Sequence, residues 1–226
     1  MQERNVFKKK KQTPSYVQTA YDGIRKLIME EELKPGELLS ENQLADYLNM
    51  SRTPIREAIR RLQAEGILES RKGLGTFMKP LTLKDMKNIY EVREALELIA
   101  CETSIYQITD EEIERVRGNL QSLLDRHHAG EEIDRMEFSE LDGQMHDLLI
   151  QRSNNGYIKL LMDQIYFNVD RYRIISFRVS LDLEESTRQH LDLLDCVKER
   201  NIEKLKEHLS AHLKWSLDLL AEHSDL

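Results

Sequence analysis

Ser51-Arg52-Thr53-Pro54-Ile55-Arg56-Glu57-Ala58-Ile59-Arg60-Arg61-Leu62 reads as a short amphipathic helix with a charged leading end. Thr53 is a good N-cap. Pro54 suits the first helical position, because its fixed φ matches a helix and its missing N–H is one the first turn leaves unbonded anyway. Ile55, Ala58, Ile59 and Leu62 recur at helical spacing and mark a buried face. Arg52 and Arg56 are four apart, so they project from neighbouring turns. The free N–H groups of a helix N-terminus favour phosphate, and a guanidinium can donate two bonds to guanine O6 and N7, worth about 1–3 kcal/mol of discrimination. Ser51 and Thr53 suit phosphate oxygens or the cap.

Working outward, a second helix starts at Ser40 and carries Leu44, Ala45 and Leu48. Asn49 follows it, a residue that tolerates the left-handed conformation a sharp inter-helix turn needs. Upstream, Val17, Ala20, Ile24, Leu27 and Ile28 define a helix from Ser15, with a stop near Lys34-Pro35-Gly36. Downstream, residues 66–78 read as two short strands around a glycine turn. Three helices and a β-hairpin predict a winged helix-turn-helix over residues 15–79. Lys72 and the Gly73/Gly75 turn would bring the wing close to a DNA backbone or minor groove.

The composition fits that reading once the chain is divided. The 226 residues carry a net charge of −8, which taken whole argues against nucleic acid. Residues 1–80, however, hold 15 Lys and Arg against 11 Asp and Glu, net +4, while residues 81–226 hold 18 against 30, net −12. A basic domain followed by an acidic one suits one half on phosphates and the other on something else. Residues 1–14 read as a disordered basic arm, with no apolar segment after them to make a secretory signal. No apolar run approaches the roughly 20 residues of a membrane span, so a cytoplasmic protein with no membrane partner is expected. Cys101 and Cys196 lack metal-binding spacing and fall in apolar helical patterns, so buried reduced thiols are expected.

Nine Gly and four Pro are few for an all-β chain, and from Thr82 onward the pattern is helical throughout. Breaks near 109–110, 129–130, 154–156, 180–182 and 200–201 leave six amphipathic helices of about five or more turns. Short connections favour antiparallel neighbours, so residues 80–226 are expected to form a six-helix bundle. The fold class is therefore mainly α: a winged helix-turn-helix with a small wing, then the bundle.

Within the bundle, polar residues interrupt stripes that should be apolar. Asp142 and His146 are four apart and border the stripe Phe138, Leu141, Met145, Leu148. His190 lies at the centre of Leu183, Thr187, Leu194, Val197, and His212 lies within Ile202, Leu205, Leu209, Leu219. Buried ionisable groups need partners, and four of them converging on one core suggest a shared one. Three imidazoles and a carboxylate suit Zn²⁺, Ni²⁺, Mn²⁺ or Fe²⁺ more than Ca²⁺ or Mg²⁺, with Zn²⁺ first for isolated protein. Taken singly, each is more often a satisfied core or surface histidine. His208 forms a second i, i+4 pair with His212 but lies beside the stripe, while His127, His128 and His223 read as solvated.

Leu38-Leu39-Ser40-Glu41-Asn42-Gln43-Leu44-Ala45-Asp46-Tyr47-Leu48-Asn49-Met50, continuing through residues 51–68 and then Gly73-Leu74-Gly75-Thr76-Phe77, closely resembles the DNA-binding domain of the GntR family. The resemblance spans about residues 17–79. It implies that Arg52 and Arg56 contact bases or adjacent phosphates, with Thr53 and Gly73 near the backbone. Many members carry a further DNA-contacting Arg where this chain has Asn42, so that contact is changed or absent. Residues 82–220 resemble the effector-binding domain of the FadR-like branch, called FCD, in its six-helix, metal-containing form. Asp142, His146, His190 and His212 match its metal ligands in type, order and spacing, and Ser153-Asn154-Asn155 matches its turn. The resemblance also implies a small carboxylic or sugar acid on the metal, with Arg93 pairing to it. A guanidinium near the cavity could hold a carboxylate through two bonds, while an Arg in a surface ion pair with Glu97 is the plainer alternative.

Together these features predict a homodimeric transcription regulator, a repressor, whose affinity for operator DNA responds to the acid; no catalysis is expected. Two rivals stand beside it. One is a DNA-binding protein with a purely structural metal. The other is a helical metallohydrolase fused to a DNA-binding domain, against which no additional Glu or His is placed as a general base.

Overall fold

The structure, a computed structural model, describes residues 15–180 and 183–223, without the side chains of 178–180 and 223. The basic arm over 1–14, the break at 181–182 and the solvated side chain of His223 lie outside the described residues. The chain divides into two compact units between Pro80 and Leu81.

In the first unit the order is α1 (Tyr16–Met29), β1 (Leu38–Leu39), α2 (Glu41–Tyr47), α3 (Arg52–Ala64), β2 (Leu68–Arg71) and β3 (Gly75–Met78). The Ser15 hydroxyl caps α1 by accepting the Gln18 N–H at 3.1 Å. Ala20, Tyr21, Ile24, Leu27 and Ile28 of α1 pack with Ile55, Ala58, Ile59 and Leu62 of α3 as the core of the unit. The helix stops at Met29, short of the expected Lys34-Pro35-Gly36. Glu31 turns left-handed at φ 62°, and the N–H groups of Glu32 and Leu33 both close on the Leu27 carbonyl. Gly36 serves instead to enter the sheet, its N–H donating to the Met78 carbonyl at 2.8 Å.

Asn49 adopts φ 52° between α2 and α3, as its residue type allows. Helix α3 starts at Arg52 with Ser51 as N-cap, two residues earlier than a Thr53 cap would place it. Pro54 is tolerated there because the first four N–H groups of a helix have no intrahelical acceptor. The wing is a three-stranded antiparallel sheet in the order β1-β3-β2, with Leu38 opposite Phe77 and Glu69 opposite Phe77 on the other side. Strand β1 adds to the expected hairpin; at two residues it is too short to show alternation. Gly75 holds φ 116°, and a Cβ there would meet Leu38 Cδ1 at 2.7 Å, so only glycine fits the crossing.

The second unit comprises α4 (Leu83–Ser104), α5 (Asp110–His128), α6 (Arg135–Arg152), α7 (Gly156–Ser180), α8 (Leu183–Lys198) and α9 (Ile202–His223). Thr82, Thr109 and Asp134 cap α4, α5 and α6 through their side-chain oxygens, Thr109 in a reciprocal box with Glu112. Helix α4 packs on α6, α7 and α9, and α8 packs on α5, α6 and α9. This arrangement turns α4, α6, α8 and α9 toward a common centre. Met86, Ile105, Leu149, Leu194, Leu205 and Leu209 fill it with apolar bulk, along with the unpaired Cys101 and Cys196. Among the described residues no helix is long and apolar enough to cross a membrane.

Candidate metal centre and nucleic-acid interface

On the first unit, the buried face of α3 leaves Ser51, Arg52, Thr53 and Arg56 exposed on the opposite side. Ser51 makes no side-chain cap bond, so the leading N–H groups of α3 are not satisfied by its hydroxyl. Arg52 Nη2 and Arg56 Nε donate to the same oxygen, Glu41 Oε2 of α2, at 3.1 and 2.7 Å. The Arg56 bond outweighs the opposing effect of burial and, aided by Arg52, holds the Glu41 carboxyl below its ordinary range. Lys72 and Gly73 are exposed at the wing tip, Gly73 with φ 77°. The expected DNA-facing residues therefore lie on the recognition helix and the wing of the same unit.

In the second unit, α6 supplies Asp142 and His146, α8 His190, α9 His212 and α4 Arg93, all buried. One ring nitrogen of each of His146, His190 and His212 lies within 4.8 Å of the other two. The partners of the remaining nitrogens decide the tautomers. His190 Nδ1 lies 2.8 Å from the Ser186 carbonyl, which only accepts, so Nδ1 carries the proton. His146 Nδ1 lies 2.5 Å from the Glu97 carboxylate, and His212 Nδ1 lies 2.8 Å from Gln189 Oε1; both donate in the same way. Each ring is left with a lone pair on Nε2. The Nε2 atoms of His146 and His190 are 3.1 Å apart, with no proton to share.

Two lone pairs at that separation repel unless a cation lies between them. Donors about 2.0–2.1 Å from one Zn²⁺ are about 2.8–3.4 Å apart for bond angles of 90–109°, so the donor set fits a transition-metal ion. Burial, with the neighbouring Arg93 guanidinium and His190, pushes His146 well below the ordinary imidazole range. Burial, then His190 and His146, do the same to His212, so the rings are neutral and able to ligate.

Asp142 takes a different position from its three companions. Its Oδ1 accepts the Ser186 hydroxyl at 2.6 Å and lies 3.5 Å from His190 Nδ1, while Oδ2 lies 3.2 Å from Arg173 Nε. Its oxygens are not among the donor atoms that lie within 4.8 Å of one another. Burial opposes its ionisation, but His190, Arg173, His212 and the Ser186 hydroxyl hold its carboxyl well below the usual range.

Arg93 does pair with Glu97, at 2.6 Å, but as a buried pair rather than a surface one. Glu97 joins Arg93 to His146, and this link is visible in sequence only as an i, i+4 spacing. Among the described residues Arg93 Nη2 has no hydrogen-bond partner, and neither do Arg173 Nε and Nη2, although Nε lies in an ion pair with Asp142. Both guanidiniums line one small cavity of about 20 Å³, with Asp142, Ser186, His212 and Trp215. Arg173 escaped the sequence reading because α7 carries several arginines, Arg171 buried among them, and nothing in their spacing marks the one that lines the cavity. His208 is half-buried in an outer cleft, and His127 and His128 are exposed.

A winged helix-turn-helix joined to a helical domain with a buried imidazole cluster defines the class: a DNA-binding transcription regulator with an appended helical domain. The model of the bacterial regulatory proteins of the gntR family matches residues 16–78, and that of the FCD domain matches residues 88–214. The chain belongs to the GntR family, in its FCD-containing branch. It is 34% identical to the HTH-type transcriptional regulator YdhC of Bacillus subtilis (strain 168), over 95% of this chain and 94% of that protein. It is 27% identical to the HTH-type transcriptional repressor RspR of Escherichia coli (strain K12), over 87% and 85%. The fold is that of E. coli McbR/YncC, with a TM-score of 0.78, 20% identity, and coverage of 93% of this chain and 99% of that one. The family and these relatives are regulators, not enzymes, so the hydrolase alternative is set aside.

Proposed function

We propose that the protein is a homodimeric repressor whose hold on operator DNA weakens when a small carboxylic or sugar acid enters the helical domain beside a divalent transition metal. One observation carries this reading: His212 of the imidazole cluster lines the same cavity as the guanidiniums of Arg93 and Arg173, which hold buried N–H groups without a hydrogen-bond partner among the described residues. Buried donors of this kind cost about 1–3 kcal/mol each while unsatisfied, and an anionic ligand recovers that cost. His146, His190 and His212 would hold the metal, Zn²⁺ first among Zn²⁺, Ni²⁺, Mn²⁺ and Fe²⁺, with Asp142 as the fourth candidate ligand. The ion would supply positive charge and open coordination positions for a carboxylate. Arg93 and Arg173 would hold the acid's oxygens, and Ser186 its hydroxyls.

Ser51, Arg52, Thr53, Arg56, Lys72 and Gly73 would meet the duplex, which places the protein in the cytoplasm with its DNA. The repressor sense follows the relative named as one. The homodimer is supported by exposed apolar residues on two packed helices, Val92 and Ile99 on α4 and Leu160 and Leu161 on α7. Coupling between the acid and DNA is expected to be about 1–3 kcal/mol.

Trp215 is the only tryptophan, and it lines the cavity with its ring centroid 6.1 Å from that of His212. Titrating organic and sugar acids into Zn²⁺-loaded protein should change its fluorescence. The same acids should weaken binding to a duplex selected by the protein from a randomised pool. Elemental analysis, with mass spectrometry of any co-purified ligand, would identify the two occupants. If no acid alters DNA affinity while chelation melts the protein, the metal is structural and the sensing reading fails.

A further inference from the structure

Glu41 opens α2, and Arg52 and Arg56 belong to the first two turns of α3, 11 and 15 residues further on. Both guanidiniums converge on one atom of it, Glu41 Oε2. Arg60, a turn further along α3, pairs within its own helix with Glu57 at 2.7 Å. The two arginines at the leading end are therefore gathered by a carboxylate from the neighbouring helix, and the next one is not. All three groups are solvent-accessible, with side chains 53%, 49% and 35% exposed for Arg52, Arg56 and Glu41. Ion pairs this exposed contribute about 0–1 kcal/mol to stability, so holding the fold together is a poor account of the arrangement.

We infer that Glu41 is a positioning residue for DNA reading, its carboxylate fixing Arg52 and Arg56 in one arrangement at the leading end of the recognition helix. Arg56 is gripped through Nε, which leaves its Nη1 and Nη2 groups, the pair that can fork onto one base edge, without a partner among the described residues. A long side chain carries about 2 kcal/mol of rotamer entropy, and one already held loses less on binding. The carboxylate also repels phosphate, so a duplex that offers charge but no matching base edges gains less. Both effects widen the gap between specific and non-specific binding.

This rests on Arg52 and Arg56 being the reading residues, and the experiment separates the two claims. The full-length protein first selects a preferred duplex from a randomised 24-base-pair pool. The ratio of its affinities for that duplex and for a scrambled one is then measured for wild type, Glu41→Gln, Glu41→Asp and Arg56→Ala. Glu41→Gln should lower the ratio about ten-fold or more and raise affinity for the scrambled duplex. Glu41→Asp keeps the charge but is one methylene short, and should lower the ratio as well. Melting temperatures should stay within about 2 °C of wild type for both. An unchanged ratio in Glu41→Gln while Arg56→Ala abolishes it overturns the inference and leaves the reading residues standing. An unchanged ratio in Arg56→Ala removes the reading assignment itself. If reselection with Glu41→Gln changes preference only at a base pair that Arg52→Ala and Arg56→Ala do not affect, Glu41 reads a base directly, which also overturns positioning.

Discussion

His146 and His190 face each other Nε2 to Nε2 at 3.1 Å, and the other nitrogen of each ring is already committed, to Glu97 and to the Ser186 carbonyl. A neutral imidazole has one proton, so neither ring can donate to the other. The contact is favourable only with a cation between the rings.

The first expectation concerns that cation. His190→Ala removes one of three converging donors and should lower bound metal and the response to acid while leaving basal DNA binding largely intact. Glu97→Gln keeps the ring of His146 but weakens the acceptor that orients it, and should cost roughly 10–100-fold in metal affinity. Chelator competition read by elemental analysis checks both. Full metal occupancy in His190→Ala would remove it from the ligand set.

Gly143 follows Asp142 on α6, and a Cβ there would stand 3.0 Å from Arg173 Nη1. Gly143→Ala should therefore displace that guanidinium, which is buried and cannot swing into water. A stability loss of about 1–3 kcal/mol is expected, of the overpacking kind. The acid response should fall about ten-fold, with metal content retained. A normal fluorescence titration of Trp215 in this variant would show that Arg173 does not hold the ligand.

The metal-free protein should lose stability as pH drops below about 6.5. His146 and His212 are held well below the ordinary imidazole value of 6.5 by burial and neighbouring positive charge, so the unfolded chain takes up protons that the folded chain refuses. Stability is then greatest above 6.5 and declines on acidification, by up to about 1.4 kcal/mol per pH unit for each such proton. Asp147 works in the opposite sense: burial raises it to about 6, so below that the folded chain gains a proton first. Two imidazoles outweigh one carboxyl, and the net slope stays positive. Urea midpoints in chelator at pH 7.5 and 5.5 test the sign; equal midpoints would contradict it.

Both thiols should be silent in the native protein. Burial pushes the Cys101 thiol up to about 12 and raises that of Cys196. An aromatic disulfide reagent should find no reactive thiol at pH 8 in native protein and two in guanidinium. A fast native reaction would mean that the helices around Cys101 open readily.

Most of the architecture was legible because it is written in local chemistry. The Asn49 turn, the position of α3 to within a residue or two and all the described inter-helix breaks of the bundle follow from spacing and residue type. Strand β1 was not legible, since two residues have no period and its partner lies nearly 40 positions away. The early end of α1 was hidden because Pro35-Gly36 reads as a helix stop, whereas it forms a turn into the sheet.

The interior of the second unit divides in the same way. An i, i+3, i+4 stripe shows that His190 and His212 point inward and that His146 borders the buried face, because helical periodicity is a one-dimensional property. Which nitrogen faces which, that Asp142 turns toward Ser186 and Arg173, and that Glu97 ties Arg93 to His146 depend on residues of different helices, 31 to 49 positions apart, brought together. Direction in space is set by packing, and no spacing along one chain segment encodes it.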